Sequence, residues 1–124
     1  MAFEDAGFID SSIQLWISKF HQNHSDLFSI AEKTNELCQK NMYVIDAHNK
    51  DPQELVIACL YIRILSNFQS IIILCERGMM PEARIILRAM YEAVFILGAI
   101  INDESLVLNY VNEHELDRLK ILNS

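Results

Sequence analysis

Residues 51–101 read DPQELVIACLYIRILSNFQSIIILCERGMMPEARIILRAMYEAVFILGAII. Asp51-Pro52 is a helix start: an acid can cap the free N–H groups, and proline suits the first helical turn. Apolar residues then run on, without two-residue alternation, to Arg77, and Gly78 marks the helix end. Met79-Met80 is a short link, and Pro81-Glu82 reopens a second helix, with the acid in the favoured first turn. That helix runs to about Ile101. So short a link predicts a central antiparallel hairpin over about 52–77 and 81–101.

The flanks read as helix too. Asp10-Ser11-Ser12 offers a cap, and Ile13, Trp16, Ile17, Phe20, His24, Leu27, Ala31, Thr34, Cys38, Met42 and Ile45 recur mostly at three- and four-residue steps. This predicts a long helix to about Ile45, with an interruption near His24-Ser25-Asp26. Residues 47–50 read as a connection. Asn102 or Asp103 stops the second hairpin helix and caps a last one, from Glu104 to about Leu122. The expectation is an all-α bundle of four to five helices, with residues 1–124 forming a single helical domain.

Composition narrows the class. Hydrophobic residues are 52%, charged residues 22%, Gly 3 and Pro 2, which excludes a disordered or linker-like chain. The formal charge is −7, a poor match for phosphate, so no nucleic-acid partner is expected. The N-terminus lacks the basic region and apolar run of a secretory signal, and Cys38, Cys59 and Cys75 lie far apart. A cytoplasmic location is expected. Leu55–Cys75 carries Arg63, Asn67 and Gln69, and Ala93–Ile101 alone is too short to span a bilayer, so no membrane segment is expected. The two central helices are nonetheless apolar nearly all round, and one small chain has little with which to cover them. A homo-oligomer through these helices follows as an expectation.

One polar cluster interrupts the hairpin. Arg84, Arg88 and Glu92 stand four apart on its second helix, and Arg63, Asn67 and Ser70 form a stripe on its first. With the turn at Met79-Met80, residues whose numbers sum to about 159 are level. Asn67 is then expected opposite Glu92, and Ser70 opposite Arg88 or Ala89. Two readings stand: an ion pair or solvated stripe that fixes helix register, or an Arg/Glu-lined pocket for an anion. Arg84 and Arg88 repel at this spacing, so one of them calls for an acid or an anionic ligand.

Gly78, Glu82-Ala83, Arg88 and Glu92 spell G-x-x-x-E-A-x-x-x-x-R-x-x-x-E. With its apolar flanks, this resembles an all-helical bacterial family of unknown function, over roughly residues 55–101. The resemblance implies the helical fold and a buried Arg88–Glu92 pair, and no settled activity. Family members are usually longer, so it also leaves open that the chain is the N-terminal part of a longer family domain. More loosely, the chain resembles the HEPN helical domains of toxin and phage-defence systems. RNA-cleaving members carry R-x(4–6)-H, and here no Arg precedes a His at that spacing.

Other chemistry finds little footing. His21 and His24 share a helical face, yet no Glu-x-x-His motif supplies further ligands, and His114 stands between acids that point to different faces. Neither a metal nor a cofactor is expected. Cys75 beside Glu76 lacks the positive surroundings of a reactive thiolate. The sequence therefore reads as an interaction and oligomerisation module. The alternative is a nucleotide- or RNA-directed HEPN-like enzyme, or a degenerate relative, with arginines holding phosphate and Glu92 as base.

Overall fold

The computed structural model describes residues 3–45 and 51–122. They form α1 (Phe3–Ala6), a 3-10 turn (Gly7–Ile9), α2 (Ile13–Asn23), α3 (Ser25–Met42), α4 (Pro52–Glu76), α5 (Met80–Asn102) and α6 (Leu106–Leu122). The fold is all-helical, with no strand among the described residues. Among the described residues six α-helices exceed the expected four to five: the interruption expected near His24-Ser25-Asp26 separates α2 from α3, and the short α1 is the addition. The connection expected at 47–50 lies outside the described residues.

The break at His24 has a packing reason. Its backbone leaves the helical region at φ −127°, ψ 34°. In a continuous helix Phe20 and Phe28 would be two turns, about 12 Å, apart. Across the bend their ring centroids are 5.6 Å apart, and His21 stacks on Phe28 at 3.9 Å. Phe28 becomes one of the buried core residues.

Local chemistry fixes both ends of α4. An Asp51 carboxylate oxygen accepts from the backbone N–H groups of Gln53 (3.0 Å) and Glu54 (3.4 Å). At the other end Gly78 takes φ +77°, the left-handed conformation that costs glycine least. The Gly78 N–H donates to the Cys75 carbonyl and the Met79 N–H to the Leu74 carbonyl, which satisfies two of the last carbonyls of α4. Trp16 packs over this turn, its Nε1 3.5 Å from where a Cβ on Gly78 would lie.

The turn therefore spans Arg77–Met79, before the expected Met79-Met80, and α5 begins at Met80. The start of α4 lies beside the end of α5, because the Gln53 side-chain amide donates to the Ile100 carbonyl at 2.9 Å. Leu60 of α4, Ala93 and Ile100 of α5 and Val107 of α6 make the buried core, with Val56, Ile57, Ile96 and Leu97 against it.

Polar bonds tie α3 to α4. The Gln69 amide donates to Asn35 Oδ1 and Gln39 Oε1, both at 2.9 Å, and the Tyr61 hydroxyl donates to the Cys38 carbonyl at 2.8 Å. Much apolar surface stays uncovered. Both α4 and α5 are long and apolar enough to cross a membrane by length and composition, and only 11% of the most apolar window of each is buried. The nine-residue limit read from Ala93–Ile101 therefore does not hold for α5, which has 23 residues.

Candidate functional site

Arg84, Arg88 and Glu92 lie on the exposed side of α5. Arg88 Nε is 3.4 Å from Glu92 Oε1, and the two side chains are 85% and 63% exposed. The pair forms, but it is not the buried pair that the family resemblance implies. The reason is the core face of α5, which is set by Ala83, Ala93 and Ile100 and turns Arg88 and Glu92 outward. An exposed i,i+4 pair of this kind contributes only about 0.3–0.5 kcal/mol.

The α4 stripe is divided. Arg63 is exposed, and Ser70 donates to the Ser66 carbonyl of its own helix at 2.9 Å. Asn67 is half-buried, and its amide nitrogen is buried without a hydrogen-bond partner among the described residues. With the earlier turn, Arg63 rather than Asn67 shares a cleft with Glu92.

That cleft, of about 170 Å³, lies where α4, α5 and α6 meet, and Tyr110, Glu113 and His114 complete its polar lining. The edge of the Tyr110 ring meets the His114 ring at 4.3 Å. Reading the sequence missed these three α6 residues as companions of Arg63 and Glu92. Tyr110, Glu113 and His114 recur at helical spacing, which marks a shared face, but where that face lands depends on the Asn102–Ser105 connection. The cleft holds two carboxylates, Glu92 and Glu113, against Arg63 and a histidine. That balance suits a cationic or zwitterionic group better than a phosphate.

Elsewhere, His21 Nε2 lies 3.0 Å from Glu76 Oε1, which ties α2 to the end of α4. Burial, then the adjacent Glu76 charge, pushes the Cys75 thiol pKa up, so it stays protonated at neutral pH. Burial likewise raises that of Tyr61, with Cys38 adding to it. Among the described residues no three His, Cys, Asp or Glu side chains are grouped to hold a metal ion. A largely apolar cavity of about 350 Å³ lies between Phe3, Phe8 and Trp16 on one side and Arg77-Gly78 on the other.

Neither a curated protein nor a solved structure matches the chain. The model of one family does, over residues 54–124, a span that runs from the first turn of α4 through α6 and takes in every residue of the three-helix cleft. On that match, the chain belongs to the family of unknown function DUF5677.

Proposed function

We propose that this chain is an interaction and oligomerisation module. In this reading α4 and α5 are an antiparallel hairpin whose outward faces are covered by a second copy. The observation that carries it is the low burial of two long apolar helices. Ile62 and Ile73 on α4, and Ile85, Tyr91 and Phe95 on α5, are each at least half exposed. A monomer in water rarely leaves so much apolar surface together.

A membrane is the competing cover, and charge placement argues against it. Arg63 stands near the middle of α4, and Arg88 and Glu92 near the middle of α5. At the centre of a spanning helix each charge costs about 2.5–3.5 kcal/mol on insertion scales. The protein therefore works in water. Three free cysteines, Cys38, Cys59 and Cys75, fit the reducing cytoplasm. The two carboxylates of the three-helix cleft give no support to nucleotide or RNA chemistry there.

Native mass spectrometry from detergent-free buffer tests this reading. A dimer or higher oligomer without added mass is expected. A chain that is monomeric, or recovered only with detergent, contradicts it.

A further inference from the structure

We propose that α5 is the self-recognition element, pairing antiparallel with α5 of a second copy about a two-fold axis level with Met90. This inference rests on the self-assembly reading above and names the surface that performs it.

One stripe of α5 carries the pairing. Ile85, Arg88, Glu92 and Phe95 follow three-, four- and three-residue steps, the spacing of the contact seam of a two-stranded coiled coil. On a helical wheel the centre of this stripe lies about 100–120° round the helix from Ala93 and Ile100, two buried residues of α5. Among the described residues Ile85 is 67% and Phe95 73% exposed, so both ends of the stripe are largely uncovered.

The order of residues along the stripe is apolar, cation, anion, apolar. A two-fold axis exchanges positions equidistant from it. About the level of Met90, Ile85 meets Phe95 of the partner subunit, and Arg88 meets Glu92 of the partner subunit. Both exchanges are favourable, and each occurs twice. A parallel pairing at the same level would instead set Arg88 against Arg88 and Glu92 against Glu92. Charge therefore selects the antiparallel arrangement. It also answers the repulsion between Arg84 and Arg88, because the partner subunit's Glu92 brings a second carboxylate to the pair. Within one chain the exposed Arg88–Glu92 contact is weak, so little is lost when these charges turn to a partner.

The test is charge exchange followed by sedimentation equilibrium. Arg88→Glu and Glu92→Arg are each made alone, then combined in one chain, then mixed as two singly substituted chains. All substituted positions are exposed, and circular dichroism checks that helix content is kept. Each single variant is expected to raise the dimer Kd by about tenfold or more. The doubly exchanged chain, and the equimolar mixture through its heterodimer, are expected to return to within about threefold of wild type. Phe95→Ser, with charges intact, is expected to weaken the dimer in every background. Single variants that dimerise as wild type does, or a mixture that does not recover, overturn the α5 pairing while leaving self-assembly through another face. A wild-type chain that never dimerises overturns the assembly reading itself.

Discussion

Gly78 shows how one residue decides a connection. Its φ of +77° strains any residue with a Cβ, and Trp16 stands at van der Waals distance from that missing atom. Gly78→Ala is expected to lower unfolding stability in urea by about 1 kcal/mol. Gly98, inside α5 with open space where its Cβ would be, supplies the opposite sign: Gly98→Ala is expected to raise stability by about 0.5–1 kcal/mol. Asp103 carries a pH dependence. Its carboxylate accepts from the Ser105 hydroxyl (2.6 Å) and backbone N–H (3.0 Å), and these two bonds, the hydroxyl first, hold its pKa below the usual value. A carboxylate depressed in the folded state adds stability above its unfolded pKa and loses it as pH falls through the folded value. Asp103→Asn is therefore expected to flatten the acid limb of a stability-versus-pH curve, and an NMR titration should find the Asp103 midpoint low.

At the scale of elements, what the sequence disclosed was local. Asp51-Pro52 and Gly78 mark the ends of α4 because caps and left-handed turns are chemistry of a few adjacent residues. Asp51→Ala is expected to cost about 1 kcal/mol in thermal or urea unfolding, through the loss of its bonds to Gln53 and Glu54. Relations between elements were harder to read. Moving the turn from Met79-Met80 to Arg77–Met79 changes which residues of α4 and α5 are level, so Arg63 replaces Asn67 beside Glu92. The Arg84–Arg88–Glu92 spacing places the three on one stripe of α5, but spacing does not say whether a stripe faces a core or water. Burial of Ala83, Ala93 and Ile100 decides that, and it turns the stripe outward. Tyr110, Glu113 and His114 were out of reach for the same reason: their place depends on how α6 leaves α5.

At the scale of the molecule, a compact three-helix core of Leu60, Ala93, Ile100 and Val107 stands beside broad uncovered apolar faces. The family match covers that core and the exposed α5 stripe together, over residues 54–124. In the proposed assembly the two would act together: the core would hold α4, α5 and α6 in place, and the stripe would face a second copy. In the proposed dimer, mid-helix charges that would burden a membrane span would choose orientation. Sedimentation equilibrium of the wild-type chain in detergent-free buffer tests the account most directly. The prediction is a reversible, concentration-dependent mass that reaches at least twice that of one chain. A single-chain mass at every concentration would contradict it.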